Sequence, residues 1–405
     1  MTASTFTAGR LMKAKRGMTV ASIALASAFV LGACASATES SVSEETTDAA
    51  TSETAEAVAD PAASVAAAQE RYLPYLEEAS WQGPTEPVSI SGLEGKRVVY
   101  ISIDDGIPVL NYWSTLLTQL LEDTAGVEME IIDAKGSVDE ANRGFQQAIA
   151  TNADIVMLQA FYTDIFANQI AEAQAAGLKV ITGNSGSMTR GLSGGQDVEI
   201  SFDYELVGRL IGQWFVIDSG GEGNALIISS DDVPASEPQW QATQSEIAEL
   251  CPACTVTVED VQIPQWGASI PTLFQATINN NPDIGYLLPI YDGQALGGLG
   301  SIRQAGVADS VKVGTFNASP GIVELLNDDT SGLAMDVGGD NTWWAYAAAD
   351  SVFRALQGAE PIENYNIGIR VFDQSNKDLI SATDDEKAWY GYTGYAEEFQ
   401  ALWTE

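Results

Sequence analysis

From residue 97 onward the chain alternates short apolar, β-branched runs with longer stretches whose apolar positions recur every three or four residues. The runs at 97–103, 127–132, 154–158, 179–182 and 198–201 predict strands, as do those at 225–229, 255–259, 285–288, 312–316, 332–337 and 368–372. Most are continuously apolar, the pattern of parallel strands covered on both faces. The clearest helical stretch opens at Ser137 with Glu140 three residues later, a capping box, and carries Val138, Ala141, Phe145 and Ala148 on one face. Repeated strand–helix units predict a doubly wound α/β fold. Some ten strands exceed one ordinary doubly wound sheet, so two Rossmann-like lobes are expected.

The N-terminal pattern is different. Arg10, Lys13, Lys15 and Arg16 precede an apolar run from Met18 to Val30, and residues 1–33 contain no acid. A basic stretch followed by a short apolar one predicts a secretory signal peptide over 1–33. Leu31-Gly32-Ala33-Cys34 resembles the lipobox of bacterial lipoproteins, which implies lipidation of Cys34 after cleavage. Residues 35–70 carry no aromatic, glycine or basic residue, so 34–70 are expected to form a disordered acidic Ala/Ser/Thr/Glu tether.

Composition narrows the chemistry. The 405 residues include 18 Lys+Arg against 56 Asp+Glu, a formal charge of −38. Loss of residues 1–33 removes four bases and no acid and makes it −42. Nucleic acid is excluded as a partner, because phosphate contacts need clustered cations. The chain has no His, which excludes Ser-His-Asp and Cys-His catalysis and His-ligated metal sites. No cofactor and no metal are expected.

In open α/β sheets ligands sit beyond the carboxyl ends of the strands. Those segments read Asp104-Asp105-Gly106-Ile107-Pro108, Gln159-Ala160-Phe161-Tyr162, Gly183-Asn184-Ser185, Ser230-Asp231-Asp232, Pro289-Ile290-Tyr291-Asp292 and Asn317-Ala318-Ser319-Pro320. They mix amides and acids with aromatics, and none is a glycine-rich phosphate cradle.

Four stretches, in this order and spacing, resemble type I periplasmic binding proteins of the ribose and simple-sugar branch. They are Val180-Ile181-Thr182-Gly183-Asn184, Ile200-Ser201-Phe202-Asp203 followed by Gly208, Tyr291-Asp292-Gly293-Gln294-Ala295-Leu296-Gly297, and Val313-Gly314-Thr315-Phe316-Asn317. The resemblance implies an N-lobe of 97–201 with 340–366 and a C-lobe of 202–339 with 367–372, joined by a three-segment hinge. It implies ligand positions at Asp105, Gln159, Asn184, Tyr291 and Asn317, and one within Gln239-Trp240-Gln241. Where the family's sugar binders keep Asp-Arg, this chain has Asn184-Ser185; Tyr291 replaces Asn and Asn317 replaces Asp. Charged forks thus give way to amides and rings, which points to a neutral ligand stacked on Trp113, Phe161 or Trp240. Asp292 is expected to cap the helix it begins or to reach the cleft as well.

The resemblance implies an extracytoplasmic solute-binding lipoprotein on the cell membrane, a monomer held by its lipid anchor alone. It would deliver a sugar, polyol or nucleoside-like molecule to an ABC permease. A sensory protein presenting the same ligand to a receptor is the alternative. A hydrolase using Asp231, Asp232 and Asp292 is disfavoured, because adjacent carboxylates on an extended segment point to opposite sides. With Cys34 lipidated, Cys251 and Cys254 remain as a pair in an oxidising compartment, where a local disulfide is expected. The aromatic residues Trp389, Tyr390, Tyr392, Tyr395, Phe399 and Trp403 predict that the 373–405 tail packs on the lobes.

Overall fold

Two mainly parallel sheets organise the chain in a computed structural model, which describes residues 60–186, 191–381 and 386–405. A two-residue strand β1 (Val88–Ser89) precedes the first sheet. That sheet comprises β2 (Arg97–Ser102), β3 (Glu128–Asp133), β4 (Ile155–Gln159), β5 (Lys179–Gly183) and β6 (Val198–Ile200), in the order β3-β2-β4-β5-β6. The second comprises β7 (Asn224–Ser229), β8 (Thr255–Asp260), β9 (Tyr286–Pro289), β10 (Lys312–Phe316), β11 (Leu333–Gly339) and β12 (Ile369–Asp373), in the order β12-β11-β10-β9-β7-β8. Only β12 runs antiparallel to its neighbour within these two sheets. The central strand β4, Ile-Val-Met-Leu-Gln, is buried throughout. The edge strands β3 and β8 expose Glu128, Glu130, Glu259 and Asp260, whose charges discourage further pairing.

Helices alternate with the strands. The N-lobe carries α2 (Pro108–Ala125), α3 (Val138–Ala150) and α4 (Ala167–Ala175), after an N-terminal helix α1 (Pro61–Tyr72). The C-lobe carries α5 (Tyr204–Asp218), α6 (Ser236–Leu250), α7 (Trp266–Asn280) and α8 (Asp292–Ala305). Helix α9 (Asn341–Gln357) leaves the second sheet and packs on α2, β5 and β6 of the first. The chain therefore crosses between lobes three times: after β6, after β11, and between α9 and β12. Ser137 caps α3 by accepting from the Glu140 N–H at 3.3 Å. Helices α5 and α6 approach closely at Gly208, where a Cβ would lie 2.1 Å from the Gln239 carbonyl oxygen.

The N-terminal region departs from expectation. Residues 1–59, with the expected signal peptide and Cys34, lie outside the described residues, but 61–70 belong to α1 instead of a disordered tether. Asp60 caps this helix through the Ala62 N–H, Pro61 starts it, and alanine, the best helix former, fills it. Its Ser64, Ala68 and Tyr72 are buried as it packs on α5 and α6, so the apolar surface that the segment lacks is supplied by the C-lobe. Arg71 donates to Glu246 at 2.9 Å and to Glu249 at 2.6 Å.

The C-terminal segment contains α10 (Asp378–Ser381), α11 (Glu386–Tyr390), α12 (Tyr395–Leu402) and β13 (Trp403–Thr404), which pairs in parallel with β1. Trp389 and Tyr390 join the C-lobe core, whereas Tyr395, Phe399 and Trp403 pack with α9 and the N-lobe. Cys251, at the end of α6, is bonded to Cys254 just before β8.

Candidate functional site

Three strands that face the space between the lobes end in left-handed backbone. Ala160 follows β4 at φ 61°, Asn184 follows β5 at φ 52°, and Asn317 and Ala318 follow β10 at φ 119° and 49°. The N–H of each strand-end residue stays on the ladder: Ala160 donates to Gly183, Asn184 to Ile200 and Asn317 to Val337, at 2.8–3.0 Å. The chain then turns sharply, at a conformational cost that non-glycine residues seldom accept outside functional sites. Ala160, Asn184 and Asn317 all line one cleft of ≈ 600 Å³, counting the part open to solvent.

Five residues expected from sequence meet in this cleft: Trp113, Asn184, Tyr291, Asp292 and Asn317. Trp113 donates from Nε1 to Asn341 Oδ1 at 2.8 Å, and its ring stacks on Trp344 at 4.9 Å. Asn184 Oδ1 accepts from Ser201 Oγ at 3.5 Å, while its Nδ2 is buried without a partner. A buried donor left unmade costs about 1–3 kcal/mol, so this amide is poised for a ligand acceptor. Asp292 opens α8 and accepts the Ser319 N–H at 2.6 Å, which ties α8 to the loop after β10. Burial pushes its carboxyl up to about 6. Behind it Asp336 accepts the Ala318 N–H at 3.0 Å, and burial together with the Asp292 charge raises its pKa well above the usual carboxylate value.

The other five lie off the cleft wall. Asp105 turns back onto α2 and accepts from Asn111 and Ser114, both at 2.9 Å. Gln159 is fully buried beneath Gly183 and beside Trp344, and both atoms of its side-chain amide lack a partner there. Phe161 packs edge-on against Phe166 at 5.3 Å. Gln239 donates to the Ile290 carbonyl at 2.8 Å and lies on the face of α6 packed against α5. Trp240 follows it on α6, half-buried against the core.

Sequence reasoning missed Tyr204, Val233, Ile263, Trp266 and Ile322 on the C-lobe wall, and placed Ser319 only within a strand-end segment. Ile263 and Trp266 follow the edge strand β8, and the strand-end rule applied there would have found them. The lobes touch beside the cleft, where Tyr162 Oη donates to the Asp231 carbonyl at 3.2 Å. Among the described residues no Lys or Arg lines the cleft. The site is therefore a two-walled pocket with amide, hydroxyl and carboxyl groups and large apolar rings: apparatus for holding a neutral solute.

That is the architecture of a two-lobed solute-binding protein. Residues 101–360 match the periplasmic binding protein domain family, and the chain belongs to it. It is a binding protein of the type I fold and not an enzyme. No curated protein matches the chain. Among solved structures it resembles the 5-methylthioribose transporter solute-binding protein of Thermotoga lettingae TMO, in complex with 5-methylthioribose. That match has 18% identity and a TM-score of 0.68, and covers 78% of this chain and 99% of that one. An ABC transporter solute-binding protein of Agrobacterium vitis with bound allitol matches at 19% identity and a TM-score of 0.65, covering 72% and 99%. One of Bacillus halodurans C-125 with bound myo-inositol matches at 18% and 0.63, covering 72% and 99%.

Proposed function

We propose that this protein is an extracytoplasmic solute-binding lipoprotein, anchored to the cell membrane through Cys34, that captures a small neutral sugar, polyol or nucleoside-like molecule. It works as a monomer and hands its ligand to an ABC permease. The observation that carries the reading is the cleft itself, with Asn184 on the N-lobe wall and Asn317 on the C-lobe wall. A ligand that bonds to both walls stabilises the closed form over the open one, and only such differential contacts can drive hinge closure. The sugar and polyol ligands of the structural neighbours support the same class. The absence of clustered cations at the cleft, among the described residues, disfavours an anionic ligand.

The test is mass spectrometry of the molecule that co-purifies with the protein, paired with a thermal-shift screen of sugars, polyols and nucleosides. A ligand at about 100 times its Kd should add about 2.7 kcal/mol of stability. A screen in which none of these classes shifts the melting curve would rule the reading out.

A further inference from the structure

The cleft is divided. Its hydrogen-bonding groups lie on the hinge side: Asn184 is bonded to Ser201 at the first crossing, and the Asn317 carbonyl accepts from Asn341 at the second, at 3.5 Å. Asp292 and Ser319 stand next to Asn317 and are joined to each other. The remainder of the wall is aliphatic and aromatic. Ile107 and Leu110 come from the start of α2, and Val233, Ile263, Trp266 and Ile322 from the C-lobe. Val233 and Ile263 are held side by side, because the Ile263 N–H donates to Asp232 Oδ2 at 3.0 Å. The Trp266 indole N–H is turned away from the cleft space and already spent on Ser230 Oγ and the Val261 carbonyl, both at 2.9 Å, so its ring presents carbon.

A bare sugar or cyclic polyol has apolar C–H patches on its ring faces, which suit aromatic rings, but its rim carries hydroxyls. Those pressed against Ile107, Val233, Ile263 and Ile322 would lose water and gain no partner, a costly burial. We infer that the ligand is a sugar or polyol bearing an apolar substituent, such as an alkyl, thioalkyl or aryl group. Its hydroxyls meet the Asn184–Asn317–Asp292 side, and its substituent fills the aliphatic half. This rests on the sugar-binding reading above and narrows it. Each methylene of the substituent buried there raises affinity by roughly fourfold.

The experiment is isothermal titration calorimetry on the purified protein with matched pairs: pentoses, hexoses and inositols, each beside its methylthio or phenyl derivative. For whichever sugar is recognised, the derivative is expected to bind at least tenfold tighter than the parent. In Ile263→Ser, where a half-buried aliphatic wall becomes polar, that gap is expected to shrink. A parent that binds within tenfold of its derivative, or a gap that Ile263→Ser leaves unchanged, overturns the inference and leaves the sugar-binding function standing. Binding of no member of any pair overturns both.

Discussion

Trp81 stacks on Trp343 with ring centroids 5.5 Å apart, and Phe399 meets the same Trp81 ring edge-on at 5.1 Å. Trp343 lies in the first turn of α9, where the chain has just crossed between lobes. The N-terminal segment therefore runs from α1 on the C-lobe, past the hinge, to β1 beside the N-lobe. Along the way Arg370 donates to the Leu76 carbonyl at 3.0 Å, and Asn366 to the Gln82 carbonyl at 2.7 Å. Trp81→Ala should lower unfolding stability by about 2–4 kcal/mol, near the low end for a buried aromatic because the ring is only partly covered. Urea denaturation measures this; a loss under 0.5 kcal/mol, about the scatter of surface substitutions, would show that the segment is only draped on the surface.

Asn184 and Asn317 carry the polar contacts of the proposed site, and their backbones dictate which variant tests them. Both have positive φ, so alanine would add strain of roughly 1–2 kcal/mol to any loss of binding. Glycine accepts the same backbone. Asn184→Gly and Asn317→Gly should each weaken binding of the co-purified ligand by about 1–3 kcal/mol in calorimetry, with little change in Tm. Wild-type affinity in both variants would place the ligand elsewhere.

Asp340 caps α9 through the Trp343 N–H, while its other carboxyl oxygen is buried without a partner. Burial, opposed by that N–H and reinforced by Glu386, pushes its carboxyl up to about 8. Burial likewise takes Asp292 up to about 6. An acid whose pKa is raised by folding is bound to its proton more tightly in the native state. The stability this contributes is full below the ordinary pKa near 4 and is lost as pH rises, through about 6 for Asp292 and about 8 for Asp340. Denaturation midpoints should therefore fall from pH 5 to pH 8, with each group contributing at most about 1.4 kcal/mol per pH unit. Asp340→Asn keeps the capping oxygen and should flatten the upper part of that slope; an unchanged slope would mean that Asp340 is ionised throughout.

Cys251 and Cys254 close a loop with a sequence separation of only 3. Titration of the denatured, unreduced protein should find no free thiol from this pair. Because so short a loop restricts the unfolded chain little, Cys251→Ser with Cys254→Ser should cost roughly 2 kcal/mol or less. Two reactive thiols in the unreduced protein would contradict the bond.

The proposed lipid anchor is Cys34. Cys34→Ala should move the protein from the membrane to the soluble fraction without altering ligand affinity, as the substitution lies far along the chain from the cleft residues. Retention of the variant on membranes would refute the anchor.

Repetition made the fold legible. Eleven runs appear as strands of two sheets; the central ones are apolar along their length because both faces are covered, whereas the edge strands β3 and β8 expose polar residues. Strand-end position marked the segments that hold Asn184, Tyr291, Asp292 and Asn317, and the resemblance to sugar-binding proteins singled out Asn184, Tyr291 and Asn317 within them. The remaining decisions were tertiary. Gln159 and Gln239 have the polarity of ligand contacts and are fully buried, Gln239 on the side of α6 packed against α5, and linear sequence does not record which face a neighbouring element covers. Residues 61–70 read as disordered because they lack apolar surface of their own; α5 and α6 supply the partner that makes a small alanine stripe worth burying. The strands β1 and β13 are two residues long and far apart in sequence, too short for any periodicity, and form where residues 88–89 and the C-terminal segment meet beside α9. The sequence by itself thus determined the layers and the strand ends that a ligand meets, because burial demands continuous patterns. Only the packing of distant segments decided which of those side chains reach the cleft, because orientation depends on contacts that no local pattern encodes.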